Sequence, residues 1–357
     1  MTDPLPRGAT IGILGGGQLG RMLSVAAARL GYKTCVFEPG GDCPASHVAN
    51  YHMQGDYRDT IALTKFGQAA DVITYEFENI PTSALDTLQA LAPICPGREA
   101  LRISQDRLTE KDFLTSLGLK TAPYADVTDE TSLGDALAKI GTPAILKTRT
   151  LGYDGKGQIT LRSPQEAEAA LEQMNDAPAI LEGFVTFTQE ISVIAARDKN
   201  GAVACFDPGA NVHKDGILHT TKVPAPITPS QRSDAILIAA NILNALDYVG
   251  VLGVELFVTP EGLIVNEIAP RVHNSGHWTQ NGCATDQFEQ HIRAITGLPL
   301  GDGTRFADVE MRNLIGADID DLDTHTRAPH SAVHLYGKAE AKPGRKMGHV
   351  NRIILKT

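Results

Sequence analysis

Two carboxylates, Glu255 and Glu267, stand in runs that are otherwise apolar: Gly253-Val254-Glu255-Leu256-Phe257-Val258 and Leu263-Ile264-Val265-Asn266-Glu267-Ile268. Pro260-Glu261-Gly262 lies between them. A three-residue hairpin loop with Gly262 in the left-handed conformation would set the two acids directly opposite each other. They would then share one face, with Cβ atoms ~5 Å apart. Like charges so placed repel unless a cation joins them. An edge hairpin with outward acids is the alternative, but the apolar neighbours argue against it. Mg2+ takes one or two carboxylates together with nucleotide phosphates, so Glu255 and Glu267 are candidate metal ligands.

Residues that could hold such a nucleotide lie upstream. Lys147 ends the apolar run Ala144-Ile145-Leu146, and Gly152-Tyr153-Asp154-Gly155-Lys156-Gly157-Gln158 follows closely. Its three glycines let a loop close over phosphates and donate backbone N–H groups, and Lys156 adds charge. Glu182-Gly183-Phe184-Val185 ends another strand, where backbone groups can read an adenine edge and a carboxylate can accept its amino hydrogens. Glu190 could take ribose hydroxyls. Singly, each has a plainer reading: a snorkelling lysine, a hairpin tip, a solvated glutamate. After the second carboxylate comes Arg271-Val272-His273-Asn274-Ser275-Gly276-His277-Trp278. The Arg271 guanidinium matches an anionic acyl phosphate, and two histidines beside it suggest a reaction centre.

Gly15-Gly16-Gly17-Gln18-Leu19-Gly20 satisfies GxGxxG, and Glu38 closes the next strand, where a dinucleotide-binding protein places its ribose-binding acid. Alone this suggests an NAD-dependent oxidoreductase. The motif itself shows only that a helix N-terminus can receive an anion, and a phosphorylated substrate would serve as well.

These residues need elements to position them. Residues 10–14, 33–38 and 71–78 read as strands with a helix after the first, marked by Leu19, Met22, Leu23, Ala26, Ala27 and Leu30 and stopped at Gly31. This is the rhythm of a parallel α/β sheet. Beyond about residue 106 the pattern becomes α+β: strands at 143–148, 179–184, 190–197, 202–206, 249–258 and 263–268, and helices at about 129–140 and 230–246. Ser163-Pro164-Gln165-Glu166 reads as a capping box opening another helix.

The chain of 357 residues has room for two or three domains. Its net charge of -10 excludes a global field for holding nucleic acid. Residues 1–8 lack the marks of a signal peptide, and no segment is apolar for long enough to cross a bilayer. The five cysteines form no CxxC pair, which argues against structural zinc and suits a reducing cytoplasm.

The order of motifs, from Lys147 and the 152–157 loop through Glu182-Gly183-Phe184-Val185 and Glu255 to Asn266-Glu267, resembles the ATP-grasp superfamily. More narrowly, the chain is similar to the 5-(carboxyamino)imidazole ribonucleotide synthases of purine biosynthesis. The marks are Gly15 to Met22, Tyr75-Glu76-Phe77-Glu78-Asn79, Gly152 to Gln158, Asn266 to Trp278, Tyr336-Gly337-Lys338 and Gly344-Arg345-Lys346. The resemblance implies an ATP-grasp fold with a Rossmann-like preATP-grasp domain over 1–105, an ATP-grasp region over 106–300 with a lid lobe at about 120–185, and a small C-terminal domain over 301–357. It implies an ATP- and Mg2+-dependent ligase acting on bicarbonate and 5-aminoimidazole ribonucleotide, cytoplasmic and homodimeric. Arg107, Lys147, Gly152 to Gln158, Glu182, Gly183, Phe184, Val185, Glu190, His213 and Asn266 would contact ATP. Asp154 would take the amine proton, with Tyr153, Arg271 and His273 lining the carboxyphosphate pocket. Lys338 and Arg345 would hold the substrate phosphate, and Gly17, Gln18, Leu19, Glu76, Asn274 and Ser275 would complete that side.

Three alternatives remain open at this stage: a formate-dependent glycinamide ribonucleotide transformylase, the NAD-dependent oxidoreductase, and a nucleotide sensor without catalysis. The oxidoreductase leaves Lys147, Glu255 and Glu267 unexplained.

Overall fold

The computed structural model describes residues 3–152, 155–175 and 177–355. Strands β1 (Thr10–Leu14), β2 (Lys33–Glu38), β3 (Tyr51–Gln54) and β4 (Val72–Tyr75) form a parallel sheet in the order β3-β2-β1-β4. Leu19, Met22, Leu23, Ala26 and Ala27 of helix Gln18–Arg29 are buried, as the helical spacing predicts, and Gly31 terminates that helix at φ +81°. The expected strand over 71–78 stops at Tyr75, because Glu76 turns back towards the glycine loop.

A second sheet joins β5 (Tyr124–Val127), β6 (Ala144–Thr148), β7 (Gln158–Leu161) and β8 (Ala179–Gly183) in the antiparallel order β5-β8-β6-β7. Helices Glu130–Ile140 and Ala167–Gln173 cover it, with Leu133, Leu137, Leu146, Leu161 and Leu181 in a core of its own. The capping box expected at Ser163 does not form. The turn Pro164–Glu166 is 3-10, and the Glu166 carboxylate accepts the Arg162 N–H at 2.9 Å, so the α-helix begins only at Ala167.

The central sheet has nine strands: β9 (Gln189–Arg197), β10 (Val203–Cys205), β11 (Gly209–Lys214), β12 (Ile217–Val223), β13 (Gly250–Thr259), β14 (Gly262–Ala269), β15 (Asp308–Ile315), β16 (Ser331–Leu335) and β17 (Lys346–Ile354). Their order is β14-β13-β9-β11-β12-β15-β17-β16, with β10 beside β9. The last three strands thus extend the same sheet through β12.

The β13–β14 hairpin reaches the expected juxtaposition by another route. Thr259 pairs with Gly262, so the loop is the two residues Pro260 and Glu261, with Gly262 at φ +119°. That register alone would set Glu255 against Asn266. A bulge intervenes: Leu256 pairs with Val265, while Glu255 pairs with Glu267, leaving Asn266 as the extra residue.

Candidate active site

Helix Arg107–Ser116 lies against β14, which is an edge of the central sheet. Asp106 caps it, accepting the N–H of Leu108 at 3.0 Å and of Thr109 at 3.1 Å. Its inward stripe, Arg107, Glu110, Lys111 and Leu114, has helical spacing but is mostly charged. An edge strand leaves backbone groups unpaired, and here two side chains and one backbone carbonyl take them. Lys111 Nζ donates to Asn266 O at 2.7 Å, Glu110 Oε1 accepts the Ile268 N–H at 2.7 Å, and the Val265 N–H donates to Lys120 O at 2.8 Å. Arg107 Nη1 lies 3.0 Å from Glu267 Oε2. Glu110 and Lys111 received no role from the sequence, because apolar periodicity is blind to a buried charged stripe. Their adjacency to Arg107 was the available signal.

Lys147 on β6 reaches across to Glu182 on β8, Nζ to Oε2 at 2.8 Å, and Lys111 Nζ stands 3.7 Å from the same oxygen. Burial opposes ionisation of Glu182, but the Lys111 and Lys147 ammoniums win and hold its carboxyl below the usual range. Its other oxygen, Oε1, is buried without a hydrogen-bond partner. That is an orphan acceptor of the kind an adenine amino group would satisfy. The Gly183 N–H is taken by Pro123 O and the Phe184 N–H by Pro143 O. Phe184 is half exposed, and Phe187, farther along this linker, stacks on Phe257 of β13 at 4.5 Å. Glu190 on β9 and His213 on β11 meet at 3.2 Å.

The two facing carboxyls are pushed in opposite directions. Burial, then Glu267 and Glu190, push the Glu255 carboxyl well above the usual range. Glu267 has a side chain 39% exposed; desolvation raises its carboxyl, but Arg107, Lys147 and Lys111 hold it below that range. This is the behaviour of a like-charge pair with its cations on one side. Beside them, burial pushes the Glu110 carboxyl up to about 8. Among the described residues no group of three or more His, Cys, Asp or Glu side chains could hold a metal by itself. A cation between Glu255 and Glu267 would need further ligands from a nucleotide, and that fits Mg2+.

His273 completes this wall. Its Nε2 lies 3.5 Å from Glu255 Oε1, and its Nδ1 lies 2.8 Å from Ser275 Oγ, which accepts from Ser192 Oγ at 2.6 Å. Nδ1 also accepts the Ser275 N–H at 3.4 Å, which assigns its proton to Nε2. Burial, then Arg271 and Lys346, keep the ring neutral. Lys346, at the start of β17, thus adds to the positive field felt by His273 and Glu255, although sequence reasoning gave it no role. Arg271 Nη2 pairs with Glu78 Oε1 at 2.6 Å and Nη1 donates to Val272 O, while its Nε is buried and unpartnered.

The glycine loop folds over this cleft. Gly155 and Gly157 have φ of +76° and +71°, and a Cβ on Gly155 would come within 3.2 Å of Gly216, in the β11–β12 turn. A Cβ on Gly152 would meet Arg107 Nη2 at 3.4 Å. Gln158 opens β7. Tyr153 and Asp154 lie outside the described residues.

The N-terminal glycines already hold anions, and both belong to the protein. Glu76 accepts the N–H of Gly17 at 2.5 Å and of Gly20 at 2.8 Å, and Glu38 accepts that of Gly16 at 2.9 Å. A Cβ on Gly17 would lie 2.4 Å from Glu76 Oε1, so the glycines admit this carboxylate. The loop is not an open phosphate cradle, and the dinucleotide reading loses its main support. Gln18 and Leu19 start the helix just behind Gly17.

Of the remaining expected substrate contacts, Asn274 forms a reciprocal amide pair with Asn313 on β15, at 2.9 and 2.8 Å, and Ser275 is committed to His273. Both shape the wall from behind. Lys338 Nζ donates to Lys346 O at 2.7 Å, and Arg345 Nη1 donates to Glu340 O at 3.2 Å. A Cβ on Gly337 would stand 3.3 Å from His47 Nδ1 and 3.4 Å from Arg21 Nη1, so this turn abuts the N-terminal sheet's domain.

Residues 8–105 match a family model described as the ribonucleotide synthetase preATP-grasp domain. Residues 112–288 match the ATP-grasp domain, and residues 310–355 the phosphoribosylaminoimidazole carboxylase C-terminal domain. The N5-carboxyaminoimidazole ribonucleotide synthase of Brucella melitensis is 56% identical over 356 residues, 99% of this chain and 98% of that one. That of Bacillus subtilis is 42% identical, over 96% of this chain and 91% of its own. A crystal structure of an N5-carboxyaminoimidazole ribonucleotide synthetase with ADP superposes with a TM-score of 0.96 at 44% identity, covering 99% of this chain and 94% of that chain. The Aspergillus clavatus enzyme in complex with ADP and 5-aminoimidazole ribonucleotide superposes at 0.92 with 31% identity, over 98% and 94%.

Proposed function

The chain belongs to the N5-carboxyaminoimidazole ribonucleotide synthase family of ATP-grasp enzymes, and from that premise we propose roles for its residues. It is an ATP-dependent ligase of purine biosynthesis, and it carboxylates 5-aminoimidazole ribonucleotide. In our reading ATP lies between the second sheet and the central sheet. Lys147, Arg107 and the loop from Gly152 to Gln158 hold its phosphates. Glu182 Oε1, with Gly183, Phe184 and Val185, takes the adenine, and Glu190, steadied by His213, takes the ribose. Glu255 and Glu267 would hold Mg2+, with Asn266 beside them, and the cation when bound would neutralise charge on the phosphates.

A bicarbonate oxygen then attacks the γ-phosphorus, and ADP leaves with the bridging oxygen. The carboxyphosphate so formed is oriented by Arg271, whose Nε is free to donate, beside neutral His273. The ribonucleotide amine attacks the carboxyl carbon, inorganic phosphate departs, and Asp154 accepts the amine proton, with Tyr153 beside it. Lys338 and Arg345 anchor the substrate phosphate opposite Glu76 and the Gly17-Gln18-Leu19 turn. The working units are residues 1–105, 106–300 and 301–357, and the enzyme acts as a cytoplasmic homodimer.

One observation carries this reading: the Glu255–Glu267 pair and the Lys147–Glu182 pair, from two different sheets, meet around one helix. The test follows ADP and carboxylated product together. Both should require ATP, Mg2+, bicarbonate and 5-aminoimidazole ribonucleotide. Formyl transfer to glycinamide ribonucleotide with formate would overturn it in favour of the transformylase.

A further inference from the structure

Glu267 is gripped on three sides by one helix. Arg107 holds its carboxylate at 3.0 Å, Lys111 holds the carbonyl before it, and Glu110 holds the amide after it, both at 2.7 Å. The last two contacts bracket the bulge. Without the bulge, Glu255 would face Asn266, and Glu267 would point to the opposite face of the sheet, since a one-residue slip inverts every side chain. A bulge leaves its backbone groups unmatched on the partner strand, and here two buried ionisable side chains take up the groups on either side of Glu267. Glu110 is 3% exposed and Lys111 2%. Burying such groups is costly unless each is bonded, so an apolar stripe would serve simple helix packing better. Lys111 has its counter-charge in Glu182, 3.7 Å away.

We propose that Glu110 and Lys111 are positioning residues that fix the Asn266 bulge and thereby aim Glu267 at Glu255 to form the cation site. This rests on the reading of Glu255 and Glu267 as cation ligands. It assigns Glu110 an effect on metal affinity rather than on nucleotide affinity, while Lys111, 3.7 Å from Glu182 Oε2, also touches the nucleotide side.

The probe is Mn2+ in place of Mg2+, titrated into the ADP-bound protein and followed by electron paramagnetic resonance. ADP binding without metal is measured by calorimetry. Glu110→Ala and Lys111→Met should each weaken Mn2+ binding by about tenfold or more, the usual effect of losing a group that orients a metal ligand. In Glu110→Ala, ADP affinity without metal should stay within about twofold, whereas Lys111→Met also removes the ammonium 3.7 Å from Glu182 Oε2 and is read on Mn2+ binding alone. Glu110→Gln keeps the acceptor for the Ile268 N–H and should bind Mn2+ as the natural protein does. Unchanged Mn2+ affinity in the Ala and Met variants overturns the proposal, as does equal loss in Glu110→Gln. Glu267→Gln separates the two readings. If it too leaves Mn2+ affinity intact, the cation site itself is misplaced and both fall. Should the Ala and Met variants fail to fold, hydrogen exchange in the natural protein decides: the Ile268 amide should be protected before metal is added, and fast exchange overturns the clamp.

Discussion

Glu76 does at the glycine loop what a bound phosphate would do. It accepts from Gly17, the cap of helix Gln18–Arg29, and from Gly20 in its first turn, so a carboxylate distant in sequence caps that helix. Burial pushes Glu76 upward against the pull of these two N–H bonds. The same economy of charge recurs at Glu182, one oxygen on lysines and one left open. Single residues also divide the two half-reactions. In the proposed mechanism phosphoryl transfer to bicarbonate would use Lys147, Arg271 and the carboxylate pair, while Asp154 would serve only the attack of the amine. Asp154→Asn should therefore lower carboxylated product by roughly 10²–10⁴-fold, the usual contribution of a positioned base, and lower ADP formation much less. Assaying both products in one mixture checks it, and a constant one-to-one ratio would remove Asp154 from that role.

Elements carry these residues, and two of them make the point. Helix Gln287–Thr296 is buried along nearly its whole length, and His291 on it bridges two sheets. Its Nδ1 accepts the Val251 N–H at 3.1 Å, and its Nε2 lies 2.8 Å from Thr74 Oγ1. Burial lowers its pKa from 6.5 to about 3. A ring held neutral in the fold contributes stability above its unfolded pKa, and that contribution is lost as pH falls towards the folded value. His291→Leu should cost about 1–3 kcal/mol near pH 8, where two buried partners lose their bonds. Its urea midpoint should then fall less than the natural protein's between pH 6.5 and 4, and parallel curves would contradict the neutral bridge. The C-terminal turn of Lys338 and Arg345 lies between β16 and β17 and is assigned to the substrate side in the proposed function. Arg345→Ala should raise KM for the ribonucleotide about tenfold or more, the worth of a charge-assisted phosphate contact, and leave KM for ATP unchanged. A shift in the ATP constant instead would mean that the two sites are wrongly divided.

At the scale of the whole molecule, the facing of Glu255 and Glu267 is a repulsion that the proposed cation would relieve. Glu255 has its pKa raised in the fold, so its contribution to stability is present below the ordinary carboxylate value and is lost as pH rises through the raised one. Glu255→Gln fixes the neutral form. The metal-free variant should lose less stability than the natural protein between pH 5 and 9, and should gain less thermal stability from Mg2+ with ADP. Identical pH profiles would show that the pair is not under strain. Strands β1, β2 and β4 of the N-terminal sheet, the helix over 230–246 and the facing of Glu255 and Glu267 were legible from sequence, because each rests on local apolar runs, glycine punctuation and motif order, whereas β3, the short and largely polar edge strand Tyr51–Gln54, was not. The route to that facing was not: a two-residue loop plus a bulge and a three-residue loop place the same residues opposite each other, and only the register distinguishes them. The strand over 71–78 ended early because Glu76 is claimed by a distant loop. Glu110 and Lys111 stayed hidden because their burial follows from the backbone groups of an edge strand more than 150 residues away. The types and order of the chemical groups are thus written along the chain. Which oxygen is open, which carboxyl is pushed upward and which face Glu267 takes follow only from tertiary contacts, since charge state and register depend on neighbours that the chain order does not reveal.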